Sequence, residues 1–197
     1  MSSKPALRRA LLAARRARPD ADRLADAAAL AAAVGDVLGE PGPPVCLHVP
    51  VRREPGCRPD GSVPLLDAAL ALGHRVLLPV TVGAAPLDWA HHRGSTDLVA
   101  GPHGLAEPAG PRLGPGAIGD AAVIVVPALA VARDGARLGR GGGHYDRSLA
   151  LAPGSRVVAL VGDDELLDAL PADPHDVRVA AVWRPATGLT ALGDGTP

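Results

Sequence analysis

Five short, mainly apolar runs constrain the fold of this chain more than any other feature of its sequence. They are rich in Val, Leu and Ala, which is typical of strands buried on both faces of a parallel sheet. The first two runs flank a predicted helix, and a strand, a helix and a strand at short spacing form a parallel βαβ unit. The pattern predicts a doubly wound α/β domain with about five parallel strands. The predicted strands are at residues 45–49, 76–79, 121–126, 157–161 and 177–182.

Helix and loop signals fill the segments between these strands. Pro19 separates two predicted N-terminal helices, because proline breaks a helix interior, and Gly73 ends a third helix. Asp163 or Asp164 predicts the start of a helix that runs to about Leu170. The chain of 197 residues fits one domain, 1–197, with a loose tail at 186–197. The other predicted elements are helices at 4–17, 20–38, 63–72 and 144–151, an edge strand at 87–89, and loops at 101–115 and 128–143.

Composition and charge argue against several functional classes. The formal net charge is −1 and the basic first helix has no aromatic residues, so nothing indicates a nucleic-acid partner. The longest apolar stretch, 121–132, has about half of the roughly 20 residues that a membrane span needs, so we expect a cytoplasmic protein without a membrane partner. Cys46 and Cys57 have no zinc or redox spacing, and Cys46 is predicted to be a buried thiol. His48 is interpreted as structural, and His91-His92 as part of a solvated loop.

A glycine-rich segment between the central strand and a predicted helix is the strongest functional signal. Residues 137–143 read Arg-Leu-Gly-Arg-Gly-Gly-Gly. Glycines let a backbone approach a ligand closely, successive N–H groups can bind an anion, and a helix N-terminus adds positive potential. Arg137, Arg140 and Arg147 add full charges, and Asp146 among them is expected if Mg²⁺ accompanies bound phosphates. A flexible glycine turn is the alternative, and the segment matches neither a Walker A loop nor a dinucleotide fingerprint.

The segment lies within a longer motif that resembles the signature of the 5-formyltetrahydrofolate cyclo-ligases, also called methenyltetrahydrofolate synthetases. The motif comprises Val-Pro-Ala-Leu-Ala at 126–130, Asp-Gly at 134–135 and Arg-Leu-Gly-Arg-Gly-Gly-Gly-His-Tyr-Asp-Arg at 137–147. Other landmarks follow in the family's order over residues 4–185. They are Lys4-x-x-Leu7-Arg8, Glu54, Leu78-Pro79, Gly-Leu-Ala-Glu-Pro at 104–108, and Leu170-Pro171 before His175-Asp176. The sequence departs from the family's commonest pattern at His144, where Tyr is frequent, and at Pro55-Gly56-Cys57.

The resemblance implies a three-layer α/β fold, with a mostly parallel, Rossmann-like and CoA-transferase-like sheet and helices on both faces. It also implies an enzyme that uses ATP and Mg²⁺ to close 5-formyltetrahydrofolate to 5,10-methenyltetrahydrofolate, and we expect a monomer. Two alternatives stay open. The chain could be a non-catalytic nucleotide- or folate-binding protein on the same scaffold, or a family member that acts on another small N-formyl or thiamin-related substrate.

The resemblance assigns roles to individual residues as well. Val49, Glu54 and Tyr145 would bind the folate, and the Glu54 carboxylate would accept hydrogen bonds from the donor edge of the pterin unless it is simply a surface carboxylate. Asp146 and Asp176 would hold Mg²⁺, and Arg140 and Lys4 would be catalytic. The ATP contacts would be Lys4, Pro5, Ala6, Leu7, Arg8, Arg137, Leu138, Gly139, Arg140, Gly141, Gly142, Gly143, His144 and Tyr145. Lys4 is the only lysine beside 19 arginines, and a role in ATP binding would explain its presence.

Overall fold

The computed structural model describes residues 3–171 and 177–193. Within these ranges the helices are α1 (Lys4–Ala17), α2 (Asp20–Ala32), α3 (Val34–Leu38), α4 (Pro64–Ala71) and α5 (His144–Leu149). The strands are β1 (Val45–Cys46), β2 (Val76–Val80), β3 (Asp88–His91), β4 (Leu98–Ala100), β5 (Ala106–Pro108), β6 (Val123–Pro127), β7 (Ala130–Ala132), β8 (Arg137–Leu138), β9 (Arg156–Leu160), β10 (Leu166–Leu167), β11 (Ala181–Arg184) and β12 (Gly188–Ala191). No helix in the described ranges is both long and apolar enough to cross a membrane.

Seven strands form the central sheet, in the order β12-β11-β9-β6-β1-β2-β3. The inner five strands are parallel, and β3 and β12 are antiparallel edge strands. The predicted parallel core is confirmed, and so is the edge strand around Trp89. The strand order reverses between β1 and β6, because β2 lies on one side of β1 while β6, β9 and β11 follow on the other. In such sheets, ligands bind beyond the carboxyl ends of the strands at this switch point.

Both faces of the sheet are buried, so side chains that alternate along a strand enter two separate cores. Val45 belongs to the core under α2, α3 and α4, whereas its neighbour Cys46 belongs to the core under α5. The chain has no Phe, and its two tryptophans are fully buried, Trp183 in the first core and Trp89 in the second. The predicted three-layer α/β fold and the buried Cys46 thiol are confirmed.

The helix predicted over 20–38 is two helices. α2 ends at Ala32, and Ala33 leaves the helical conformation with φ −91° and ψ 6°. The short helix α3 then follows and contains Gly35, a residue that destabilises a helix interior because its backbone loses the most freedom on folding. The interruption lets the buried side chains of α3 reach the same core as those of α2 from a new direction.

Two predictions, one for the segment after β6 and one for the segment after β9, are wrong because pairing between distant segments outweighs local propensity. The segment 128–143, predicted as a loop, contains the hairpin of β7 and β8, which turns at Gly135 with φ 85°. The helix predicted from Asp163 is one turn of 3₁₀ helix, Asp163–Glu165, followed by β10. β10 pairs in parallel with β7 and completes a small three-stranded sheet.

The C-terminal segment is also more ordered than the sequence predicts. The tail expected to be loose from 186 contains β12, whose four residues pair with β11 and cover an otherwise open sheet edge. The strand predicted at 177–182 is displaced to β11, because Val179 donates its N–H to Gly135 O at 2.9 Å and lies against the hairpin instead. The rest of the tail, 194–197, lies outside the described residues.

The segment between β2 and β6 differs from its predicted loops in two places. The loop predicted over 101–115 contains β5, which pairs antiparallel with β4. His91 ends β3, and His92 is buried with only 4% of its surface exposed, so the interpretation of His91-His92 as a solvated loop is wrong. The two histidines lie against the central sheet because β3 pairs with β2, where Leu77 lies opposite His91.

Candidate active site

A cavity of about 790 Å³ lies beyond the carboxyl ends of β1 and β6, at the switch point of the sheet. Cavities of this size hold small-molecule ligands. Its wall combines the start of α1, the segments that follow β1, β2 and β6, strand β5, and the glycine-rich loop between β8 and α5. The polar and charged lining residues are Lys4, Arg8, His48, Arg52, Glu54, Thr81, Glu107, Arg137, Arg140, His144, Tyr145 and Asp146.

Helix α1 brings two cations to this cavity from the N-terminus. Lys4 and Arg8 are four residues apart, so they lie on one face of the helix. The Nε of Arg8 donates to Gly139 O at 2.9 Å and thereby fixes the glycine-rich loop against α1. The three residues between them were also predicted ATP contacts but lie outside the cavity wall, because the helix turns their side chains elsewhere. They are Pro5, Ala6 and Leu7, of which Leu7 packs on the core around Leu138.

A buried ion pair holds α1 across the end of the sheet. Arg15 donates from Nε and Nη2 to the two carboxylate oxygens of Glu165 at 2.6 and 2.7 Å, and from Nη2 to Ala128 O at 2.6 Å. Glu165 also accepts the N–H of Gly162 at 2.6 Å. The contact therefore joins α1 to the segments after β6 and after β9. Because α1 carries Lys4, this pair helps to fix the position of that cation.

The glycine-rich loop has backbone conformations that only glycine adopts easily. Gly141 has φ 102° and Gly143 has φ 67°. The loop passes close to α1, because a Cβ at Gly141 would lie 3.6 Å from Cζ of Arg8. Arg147 also holds the loop, since its Nη2 donates to the carbonyl of Gly142 at 3.0 Å. The following helix α5 has only six residues, so its dipole adds little. Positive potential at this loop therefore comes mainly from the arginines.

Arg137 and Asp146 close the base of the loop. Nη2 of Arg137 donates to Oδ1 of Asp146 at 2.6 Å, and only 5% of the Arg137 side chain is exposed. The pair joins the strand before the loop to the helix after it. Arg137 therefore acts here as a clamp, while Asp146, with 34% of its side chain exposed, presents a carboxylate to the cavity.

Glu54 and Arg140 form an ion pair across the cavity wall. Nε and Nη2 of Arg140 both donate to Oε1 of Glu54, at 3.1 and 2.8 Å. Glu54 is almost buried, and its Oε2 accepts the N–H of Val51 at 3.1 Å. The turn that carries Glu54 includes Arg52, which has φ 56°, an unfavourable conformation for a residue with a side chain. Glu54 is thus a buried, paired carboxylate and not a surface residue.

Tyr145 and His144 line the cavity at the start of α5. Burial raises the pKa of Tyr145, and the negative charge of Glu54 acts in the same direction, so its hydroxyl stays neutral. Tyr145 packs on the core that also contains Trp89. His144, which departs from the family's commonest pattern, has Nε2 at 2.9 Å from Gly83 O.

The structure brings most of the predicted site residues to this one cavity. Val49, Glu54, Asp146 and every residue from Arg137 to Tyr145 line it, together with Lys4 and Arg8. Asp176 lies outside the described residues. Among residues 3–171 and 177–193, no group of three or more His, Cys, Asp or Glu side chains is placed to hold a metal ion. The single carboxylate of Asp146 beside the loop still suits Mg²⁺, which binds through one or two carboxylates plus substrate phosphates and waters.

Several lining residues were not predicted from the sequence as site residues. His48 is buried, its Nδ1 lies 3.4 Å from Val125 O, and burial lowers its pKa, so its imidazole is neutral near neutral pH. Glu107 is also buried, and its Oε1 accepts the N–H of Thr81 at 2.8 Å. Glu107 lies in the motif at 104–108, so the motif could have indicated Glu107 as a site residue. Nothing in the sequence around His48 indicated that this residue lines a cavity.

Two sequence comparisons give the same family description. The model of the 5-formyltetrahydrofolate cyclo-ligase family matches residues 1–185. The 5-formyltetrahydrofolate cyclo-ligase of Mycolicibacterium smegmatis is 50% identical over 196 residues, which cover 96% of this chain and 97% of that protein.

Two solved structures share the fold. The 5,10-methenyltetrahydrofolate synthetase of Aquifex aeolicus has a TM-score of 0.79 at 24% identity, covering 98% of this chain and 95% of that one. The synthetase of Mycoplasma pneumoniae has a TM-score of 0.70 at 18% identity, covering 92% and 98%. The prediction of a cyclo-ligase enzyme, made from the glycine-rich motif, is confirmed: the chain belongs to the 5-formyltetrahydrofolate cyclo-ligase family.

Proposed function

We propose that this chain uses ATP and Mg²⁺ to close 5-formyltetrahydrofolate to 5,10-methenyltetrahydrofolate, with release of ADP and phosphate. The observation that carries the proposal is one cavity that holds both an arginine-lined glycine loop and the buried carboxylate of Glu54. Cations and backbone N–H groups suit phosphates, and a carboxylate suits the adjacent N–H donors of a pterin. The name of the relative that is 50% identical supports the same activity.

The chemistry explains why a folate-closing enzyme needs a phosphate site. The oxygen of a formamide is a poor leaving group, so it must be activated before the ring can close. Transfer of the γ-phosphoryl group of ATP to that oxygen forms an imidate phosphate and ADP. N10 of the folate then attacks the formyl carbon and loses its proton, and the C–O bond breaks to release phosphate. Such a reaction asks the protein mainly for alignment and charge neutralisation.

The residues of the cavity divide between these tasks. Lys4 and Arg140 act as the catalytic cations that neutralise charge on the transferred phosphoryl group, one as a compact charge and the other as a fork. Arg8 positions the loop whose N–H groups hold the phosphates. Asp146 and Asp176 hold Mg²⁺, which supplies further neutralisation of phosphate charge when bound.

The folate is held by other residues of the same cavity. Glu54 accepts hydrogen bonds from the pterin, while Val49 and Tyr145 supply apolar contact. Among the described residues, the cavity lining contains one tyrosine, Tyr145, and no tryptophan, because Trp89 and Trp183 are buried in the cores.

An absorbance assay tests the proposal. Methenyltetrahydrofolate absorbs in the near ultraviolet where the 5-formyl compound does not, so the purified chain should give a rise that requires both ATP and Mg²⁺. No rise with the complete mixture would refute the proposed activity. Arg140→Gln should abolish most of the rise. Arg133→Gln should not, because it removes an exposed cation that does not line the cavity.

The same assay separates the alternatives. Turnover of simpler N-formyl compounds but not of 5-formyltetrahydrofolate would favour a different substrate in the same family. Binding of ATP and folate without turnover would favour a non-catalytic protein. A monomer and a cytoplasmic location remain predictions, and size-exclusion chromatography with light scattering tests the first.

A further inference from the structure

An ion pair links the two halves of the proposed site. Arg140 belongs to the loop proposed to hold ATP, and Glu54 belongs to the wall proposed to hold the pterin, 86 residues away in sequence. Their side chains meet in a forked contact at 2.8 and 3.1 Å. In this state the guanidinium is engaged by a carboxylate that the folate needs, and the carboxylate is engaged by a cation that ATP needs.

The two partners of this pair are held very differently. Glu54 is fixed, because Oε2 accepts the N–H of Val51, its own N–H bonds Val51 O, and its carbonyl accepts from Cys57. Arg140 has half of its side chain exposed and stands between glycines, of which Gly141 has φ 102°. When the pair opens, Arg140 is therefore the partner that moves.

We propose that the Glu54–Arg140 pair is a switch that makes ATP and the folate bind with positive cooperativity. The proposal rests on the proposed function, because it assigns the two partners to those two ligands. ATP draws Arg140 toward its phosphates and leaves Oε1 of Glu54 unpaired in a nearly buried position, which is unfavourable until a donor replaces the guanidinium. The N–H groups of the pterin are such donors.

The coupling acts equally in the other direction. A pterin that engages Glu54 displaces Arg140, and the freed guanidinium then binds phosphate without first breaking an ion pair. Each ligand thus removes a cost that the other would meet alone, and linkage requires the two factors to be equal. Because Arg140 is half exposed, we expect a factor of about 5 to 10, at the low end of the usual range.

Isothermal titration calorimetry measures this coupling directly. A non-hydrolysable ATP analogue with Mg²⁺ should bind the wild-type chain about 5 to 10 times more tightly when 5-formyltetrahydrofolate is saturating. Glu54→Gln keeps the size of the side chain but removes its charge, so it releases Arg140. We expect this variant to bind the analogue more tightly than the wild type when no folate is present, by a similar factor. Equal or weaker binding by Glu54→Gln would overturn the proposal.

A double-variant cycle separates the ion pair from long-range electrostatics. If Glu54 acts through Arg140, adding Glu54→Gln to an Arg140→Gln chain should give no gain in affinity for the analogue. A gain that persists in the Arg140→Gln chain would mean that the charge of Glu54 acts through space, which also overturns the switch. Asp26→Asn is the matched control, because it removes the charge from another forked arginine–carboxylate pair, with Arg18, that does not line this cavity.

Failure of this inference and failure of the proposed function look different. A wild-type chain that converts 5-formyltetrahydrofolate but binds the analogue with the same affinity with and without folate refutes the switch alone. A wild-type chain without turnover refutes the proposed function. In that case, a gain in analogue affinity in Glu54→Gln that requires Arg140 still supports the view that the ion pair restrains the glycine-rich loop. If Glu54→Gln shows no such gain, the restraint is refuted as well.

Discussion

Replacing Arg15 by methionine should destabilise this protein severely, although Arg15 does not line the cavity of the candidate active site. Arg15 is 6% exposed, and its guanidinium donates three hydrogen bonds, two of them to Glu165. Methionine leaves the carboxylate of Glu165 buried with the N–H of Gly162 as its remaining donor. Removing one partner of a buried ion pair typically costs about 3–5 kcal/mol. Since the free energy of unfolding of a domain is about 5–15 kcal/mol, Arg15→Met removes a large part of it.

Urea unfolding followed by tryptophan fluorescence measures the effect, because Trp89 and Trp183 are fully buried and become exposed on unfolding. The double variant Arg15→Met with Glu165→Met should be more stable than Arg15→Met alone, by about 1–2 kcal/mol, because it no longer buries the unpaired carboxylate of Glu165.

The exposed pair Arg133–Asp168 supplies the control, and Arg133→Met should leave stability unchanged. A loss below about 1 kcal/mol in Arg15→Met, or a double variant less stable than that single variant, would refute the assignment of this pair.

Three further predictions concern the loop, the metal and pH. Gly141→Ala should raise the Kd for an ATP analogue about tenfold, because a side chain at φ 102° adds about 1–3 kcal/mol of strain that distorts the loop. Asp146→Asn should raise the Mg²⁺ concentration for half-maximal turnover about tenfold or more, while its amide oxygen still accepts from Arg137 and preserves the fold. Burial lowers the pKa of His92 below its ordinary value of 6.5, so the unfolded chain takes up a proton that the folded chain resists. The free energy of unfolding should therefore fall as the pH drops below about 6.5, and His92→Leu should reduce that fall.

Each of these three predictions has its own control and its own refutation. Gly42 has open space around it and no positive φ, so Gly42→Ala should leave ATP affinity unchanged, and an unchanged Kd in Gly141→Ala would contradict the role of the loop. A Mg²⁺ titration of Asp146→Asn that matches the wild type counts against the metal role. Urea unfolding at about pH 7.5 and pH 5.5 tests His92, and an identical loss in His92→Leu would show that other groups cause it. His48 leaves a residual dependence in either case, since burial lowers its pKa too.

Much of the fold follows from local sequence patterns. Runs such as 121–126 and 157–161 show by their apolar composition that they are buried on both faces, and the structure places them as adjacent parallel strands. Periodicity cannot predict β12 or β10, because their residues have no strong strand pattern of their own. They pair because β11 and β7 present unpaired backbone groups at the right place, which is a property of the assembled sheet.

The site shows the same division. The glycine-rich motif at 137–147 was sufficient to identify the family, and its glycines at positive φ explain why those positions need glycine. The clamp role of Arg137 and the burial of Glu54 could not be read from the motif. Both depend on which side chains meet when the loop folds back on the segments after β1 and β6.

The sequence by itself determined the parallel α/β architecture, the glycine-rich loop before α5 and the family, because each is encoded by residue types at short spacing. The resemblance already grouped Lys4 and Arg8 with that loop, but only the tertiary structure decided that Arg8 binds the carbonyl of Gly139 and that Glu54 and Arg140 form an ion pair. The physical reason is the separation of these residues along the sequence. Arg15 and Glu165 are 150 residues apart, so their contact depends on the packing of the whole sheet and leaves no periodic trace in the sequence.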